Sequence, residues 1–280
     1  VYMQYRLNKG SKLNPMQILS LGFLAIILVG GILLSLPISS STGEYTSFID
    51  AVFTSTSAVC VTGLITVDTG THWNLFGKTV IMILIEIGGL GFMSFTTLIA
   101  IILGKKITLR ERLILQDAMN TFNIQGLVKM VKYVLVFTVS VQFFGALLLS
   151  TQFIPEFGFG KGAFYSLFHS ISAFCNAGFD VLGKGNSLIS FNTNVVVIMV
   201  LSILIIIGGL GFTVWSELYT CKSIRRVSIH SKMVLLITTG LVVGGTLLMF
   251  LFEHNNPQTI SKMSFINKLT NSFFASVTPR

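Results

Sequence analysis

Five stretches of this chain, residues 16–36, 76–103, 128–153, 195–218 and 233–252, are long and apolar enough to cross a bilayer. No other feature constrains the fold as much, because a hydrocarbon core of roughly 30 Å needs about 20 helical residues. Charged residues are only 10% of the 280 and the mean hydropathy is +0.81, whereas ordinary soluble domains carry roughly 25% charge. The expectation is an all-α integral membrane protein with five full spans. Pro37 and the Ser/Thr cluster after it end the first span, and Pro155 bounds the third.

Three further apolar segments, 48–59, 163–174 and 265–277, are too short to cross. Twelve helical residues rise roughly 18 Å, about half a bilayer core. They read as re-entrant helices, with an interfacial helix as the plainer alternative. Basic residues orient the spans. Arg6, Lys9 and Lys12, the group from Lys105 to Lys132, and the group from Lys222 to Lys232 fall on one side if five spans alternate. The opposite side holds Lys78, Lys161, Lys184, Lys262 and Lys268 with most of the acids. The basic side is therefore read as cytoplasmic, N-terminus included, and the short segments enter from outside. The net charge of +9 is then a topology signal and gives no case for a nucleic-acid partner. Three cysteines, an odd number with no framework spacing, give no case for disulfides. No cluster suggests a metal site, and no leader peptide with a cleavage site is visible.

The chain repeats itself. "FTSTSAVCVTG", beginning at Phe53, lies without a gap over "FHSISAFCNAG", beginning at Phe168; Cys60 matches Cys175 and Gly63 matches Gly178. "IGGLGF" follows each, at Ile87 and at Ile207. A third copy begins as "FFASVTPR", with Phe273 over Phe53 and Arg280 over Cys60. One unit is thus a span, a short apolar segment, a small loop ending in glycine, and a span with a glycine cluster. The expected organisation is a first unit at 1–104, a cytoplasmic linker at 105–127, a second unit at 128–221, and the start of a third at 222–280, with the remainder expected in a longer polypeptide.

Non-helical backbone at membrane depth is tolerated where it is buried in protein or lines a water-filled cavity. Loops from several units around one axis would bring carbonyl oxygens together, and such rings replace the water shell of a bare monovalent cation. The short helix would point its negative C-terminal end at that axis, and glycine would allow the turn through its freedom at positive φ. The plainer alternative is a set of ordinary external turns; register across the copies favours the filter. Glu86 lies mid-span. It is either a functional acid or a structural carboxylate, and Ile206 stands in its place in the second unit, so no ring of acids forms. The glycine clusters are read as permitting tight helix packing, ahead of a hinge role. Glu217 is expected solvated or paired. Residues 108–120 read as an amphipathic cytoplasmic helix, either at lipid headgroups or docking a cytosolic partner. The histidines are read as structural, with His169 in the second short helix singled out.

These residues resemble the superfamily of K⁺ transporters that includes the KtrB, TrkH and plant HKT proteins. The resemblance covers the whole chain and looks closest to the KtrB branch, because the first apolar run is already the first unit's span. It implies tandem M1–P–M2 repeats around a pseudo-fourfold, K⁺-channel-like pore. It also implies filter strands at Cys60, Val61, Thr62 and Gly63; at Cys175, Asn176, Ala177 and Gly178; and at Thr278, Pro279 and Arg280. Gly63 fits the K⁺-type pattern where Na⁺-preferring relatives often have serine. The implied activity is K⁺ uptake across the bacterial cytoplasmic membrane, with Na⁺ as a further ion left open and no organic cofactor. The implied partners are membrane lipid, a second copy in a homodimer, and a ring of cytosolic nucleotide-binding KtrA-like subunits. A TrkH-like or HKT-like K⁺/Na⁺ transporter is the alternative. A secondary carrier fits less well, because the second copy starts on the same side as the first. A membrane enzyme would need nucleophile or metal motifs that are not seen.

Overall fold

The computed structural model of the chain describes residues 15–91, 127–183, 187–220 and 227–279. The regular elements among them are helices, with one isolated β-bridge between Ser40 and Trp73. In chain order they are α1 (Pro15–Ser35), α2 (Phe48–Val59), α3 (Leu75–Leu90), α4 (Leu127–Phe157), α5 (Phe159–Phe174), α6 (Val195–Gly209), α7 (Phe212–Thr220), α8 (Ile229–Glu253) and α9 (Phe265–Val277). Short 3₁₀ turns lie at Pro37–Ser39 and Ser187–Phe191.

Helices α2 and α9 occupy the short apolar segments read from the sequence, residue for residue, while α5 starts four residues earlier, behind Gly158. The long spans differ more. By length and composition, Val131–Phe157 and Ile229–Glu253 can each cross a membrane. Helix α4 runs through Pro155 instead of stopping before it. Pro155 has no amide to reach the Thr151 carbonyl, so the helix gives up one rung there, and the Gly158 amide closes the end on the Ile154 carbonyl at 2.9 Å. The run 76–103 is not one helix: α3 ends at Leu90, where Gly91 takes φ 79° and ψ 138°. The run 195–218 is likewise broken, with α6 and α7 meeting at 90° across Gly211 at φ 87°. Both breaks use the last glycine of "IGGLGF", the residue type for which a left-handed φ is cheap. Gly91 ends α3, and Gly211 sits at the bend between α6 and α7. The packing role falls to Gly88 and Gly208. A Cβ there would run into the carbonyl oxygens of Val59 and Phe174, the last residues of α2 and α5.

Each short helix packs on its long neighbours through a matching contact. Gly30 of α1 faces Ser55 of α2, Gly145 of α4 faces Ser170 of α5, and Gly245 of α8 faces Ser276 of α9. Each serine hydroxyl donates to the carbonyl three residues before that glycine: Ser55 to Ile27 at 2.8 Å, Ser170 to Gln142 at 2.7 Å and Ser276 to Val242 at 3.0 Å. A small residue on one helix lets the backbones approach until a hydroxyl can reach across. In the third contact the alignment of Phe273 over Phe53 puts Ala275 opposite Ser55. The contacting residue is Ser276, so the register is one residue later there; the position is marked by the group able to donate.

Two apolar cores run through these groups of helices. One joins Leu34, Val59, Trp73, Ile81 and Ile85 to Phe168, Ala177 and Phe179. The other joins Leu149, Phe153, Leu201 and Leu204 to Val242 and Val277. Burial at these shared surfaces, at about 25 cal/mol per Å², ties α1–α3, α4–α6 and α8–α9 together. The segment before α3 is pinned by Asn74. Its amide nitrogen donates to the carbonyls of Ile38 (2.6 Å) and Ser40 (3.2 Å), and its oxygen caps α3 by accepting from the Gly77 amide (3.1 Å). Lys78, counted from the sequence among the lysines of the outer side, is buried. Its ammonium donates to the Gly70 carbonyl at 2.6 Å and lies 5.8 Å from the centre of the Tyr165 ring.

Candidate functional site

The loops after α2 and α5 have the same backbone. Cys60 closes α2 at φ −84°, ψ 0°, and Cys175 closes α5 at φ −77°, ψ −8°. The next residues, Val61 at φ 56° and Asn176 at φ 55°, are left-handed, and Gly63 and Gly178 follow at φ 73° and 74°. The amide bonds match as well. Val61 donates to Ala58 (3.2 Å) and Thr62 to Ser57 (2.9 Å); Asn176 donates to Ala173 (3.0 Å) and Ala177 to Ser172 (2.7 Å). This is the Schellman pattern, which closes a helix by folding the chain back over its last carbonyls. The amides of Cys60, Val61 and Thr62 and of Cys175, Asn176 and Ala177 are thereby committed to the helix ends, and their carbonyl oxygens are the backbone groups left to present. The sequence located the left-handed turn at Gly63 and Gly178 but not at Val61 and Asn176. Asparagine is a signal for that conformation; a β-branched valine is not, and holding it there costs on the order of 1–2 kcal/mol.

The two loops adjoin. A Cβ on Gly63 would collide with the Ala177 carbonyl oxygen and stand 3.1 Å from the Gly178 Cα. The start of the third loop is close by, with the Asn176 side-chain amide donating to the Thr278 carbonyl at 3.4 Å. A cavity of about 380 Å³ is lined by Val61 and Thr62, by Asn176, Ala177 and Gly178, and by Thr278 and Pro279, with Asp180 and His169 also on its wall. A second cavity, of about 330 Å³, is lined by Val61, Cys175 and Asn176 together with Gly89, Gly208, Gly209 and Phe212. Val61 and Asn176 line both, so the left-handed residues stand between the two spaces. Cys60 is exposed, and Arg280 lies outside the described residues.

Side chains hold the loops from behind. The Thr62 hydroxyl donates to the Ser57 hydroxyl at 3.0 Å, and the buried Ser172 hydroxyl donates to the Phe179 carbonyl at 2.7 Å. Glu86 accepts from the Gln142 side-chain amide at 2.7 Å and from the Cys175 thiol at 3.8 Å. His169 is buried. Its Nδ1 donates to the Tyr165 carbonyl at 2.7 Å, which fixes the proton on that nitrogen, and Nε2 has no hydrogen-bond partner among the described residues. Glu217 is paired, accepting from the hydroxyls of Ser228 (2.8 Å) and Ser231 (2.7 Å) at the start of α8. Among the described residues no group of three or more His, Cys, Asp or Glu could hold a metal ion. The amphipathic segment 108–120 and residues 221–226 lie outside the described residues.

Apolar helices long enough to cross a membrane mark an integral membrane protein. The chain belongs to the TrkH family of cation transport proteins, whose model matches residues 15–277. It is 49% identical to the potassium/sodium uptake protein NtpJ of Enterococcus hirae, over 99% of this chain and 60% of that protein. It is 44% identical to the Ktr system potassium uptake protein B of Bacillus subtilis, over 97% of this chain and 60% of that protein. The corresponding protein of Vibrio alginolyticus is 38% identical, over 94% of this chain and 58% of its own length. The chain therefore spans about 60% of the length of the relatives it matches.

Proposed function

We propose that this chain carries K⁺ into the cell across the bacterial cytoplasmic membrane, as part of a Ktr-type uptake protein. In this reading α1–α3 and α4–α6 are two M1–P–M2 repeats, within 1–104 and 128–221, joined by the linker 105–127, and α8–α9 begin a third within 222–280. The repeats surround a pore. Its filter is built by the carbonyls of Cys60, Val61, Thr62 and Gly63, of Cys175, Asn176, Ala177 and Gly178, and of Thr278, Pro279 and Arg280. The protein is multi-pass with a cytoplasmic N-terminus, acts as a homodimer, and is gated by a cytosolic nucleotide-binding subunit docked on 108–120 and 221–232.

One observation carries this reading: two loops of the same backbone geometry, their amides spent on helix ends, meet at Gly63 and Ala177. Dehydrating K⁺ requires several oxygens converging on one point, and loops in contact are what that convergence needs. The test is complementation. The intact gene in a bacterium lacking its own K⁺ uptake is expected to restore growth at low K⁺ and to give K⁺-dependent tracer uptake; failure of both refutes the reading. Na⁺ as a second transported ion is favoured by the name of the Enterococcus relative and is checked by the same uptake assay with Na⁺ as competitor.

A further inference from the structure

A carboxylate at membrane depth is expensive unless something holds it. Glu86 sits in the last third of α3, and two donors from two other elements converge on a single oxygen, its Oε2. One is the side chain of Gln142, buried in α4; the other is the thiol of Cys175, which closes α5 and opens the second loop. Gln142 is itself tied to α5, because its carbonyl accepts the Ser170 hydroxyl at 2.7 Å. The thiol is bounded from a second side. One turn further along α3 lies Gly89, and a Cβ there would run into the Cys175 sulfur. A carboxylate and a bare backbone, three residues apart on one helix face, thus receive the same side chain.

Cys175 lines the cavity that contains Val61 and Asn176, whereas Glu86 lines neither that cavity nor the one on the other side of the loops. Glu86 thus touches the cavity lining through Cys175. The arrangement has no counterpart one unit later, where Ile206 occupies the position of Glu86 before "IGGLGF". It belongs specifically to the junction between α3 and the second loop. We infer that Glu86 is a positioning residue: braced by Gln142, it holds the Cys175 side chain and so fixes the second loop's carbonyls against those of the first loop.

This inference rests on the filter reading above and deepens it. The test uses the intact gene in the K⁺-uptake-deficient host, with the K⁺/Na⁺ uptake ratio as readout, because that ratio does not depend on how much protein reaches the membrane. Glu86→Ala is expected to lower the ratio by about fivefold, the equivalent of one hydrogen bond's net contribution. Glu86→Gln, which keeps an acceptor oxygen without the charge, is expected to restore the ratio to within about twofold of wild type. Cys175→Ala is expected to reproduce Glu86→Ala, and the double variant to add nothing, as for two residues acting as one unit. An unchanged ratio in Glu86→Ala overturns the inference. So does a Glu86→Gln as poor as Glu86→Ala, which would make the charge itself the active element, and so does additivity in the double variant. A wild type without K⁺ uptake overturns the transport reading and this inference together, whereas wild-type uptake with unaltered variants overturns the inference alone.

Discussion

Replacing Gly88 by alanine should destabilise the protein, although by local preference it ought to do the opposite. Gly88 lies inside α3, and glycine in a helix interior costs roughly 0.5–1 kcal/mol relative to alanine. Considered as part of an isolated helix, the substitution gains that much. Considered in the packed structure, the new methyl points at the carbonyl oxygen, carbonyl carbon and Cα of Val59. These are backbone atoms at the end of α2, and no side-chain rotation can move them aside. Overpacking of this kind costs about 1–3 kcal/mol. Subtracting the helical gain leaves a net loss of about 0–2.5 kcal/mol, about 1 kcal/mol at the middle of the range. Because Val59 leads directly into Cys60 and Val61, any relief by backbone movement is passed to the loop. The measurement is the thermal midpoint of the purified protein in detergent, with K⁺ uptake as a second readout. Gly240→Ala is the control: Gly240 lies in α8, and nothing stands within 4 Å of the place its Cβ would take, so it should raise the midpoint slightly. If Gly88→Ala also raises the midpoint, the close approach of α3 to α2 is not what requires glycine there, and the packing argument fails.

Gly63→Ser should raise Na⁺ uptake relative to K⁺ by about tenfold, about 1.4 kcal/mol of differential binding, because a side chain at φ 73° beside the Ala177 carbonyl must displace one of the two loops; competition uptake measures it. Ser170→Ala removes the donor to the Gln142 carbonyl and should cost about 1–2 kcal/mol of stability, read as a lowered thermal midpoint with the K⁺/Na⁺ ratio less affected than in Gly63→Ser. Asn74→Ala removes the cap of α3 and both donations to the 38–40 segment; a loss of about 1–2 kcal/mol is expected, and faster proteolysis of the 64–74 segment checks it.

Much of this architecture is legible in the sequence for local reasons. The length of an apolar run says whether a helix can cross a bilayer, and a short run ending in small residues and glycine says where it stops. That is why the bounds of α2 and α9 can be read from the letters alone. The likeness of the loops at 60–63 and 175–178 is equally visible, since the same residue types recur in register. Other features were open to more than one reading. The glycines of "IGGLGF" are compatible with packing or with interrupting a helix, and the structure packs Gly88 and Gly208 against backbone and ends a helix at Gly91 and beside Gly211. Composition cannot divide those roles, because the division depends on which backbone lies opposite each glycine.

Where the short helices form, and that the loop motif recurs, were thus determined by the sequence itself, because hydropathy, run length and turn chemistry act over neighbouring residues. Only the tertiary structure decided that Val61 is left-handed, that Lys78 is buried against Gly70, that Ser276 takes the place of Ser55, and that Cys175 lies under Glu86. None of these follows from hydropathy or composition, because each depends on how the backbone and the partner groups are placed in space.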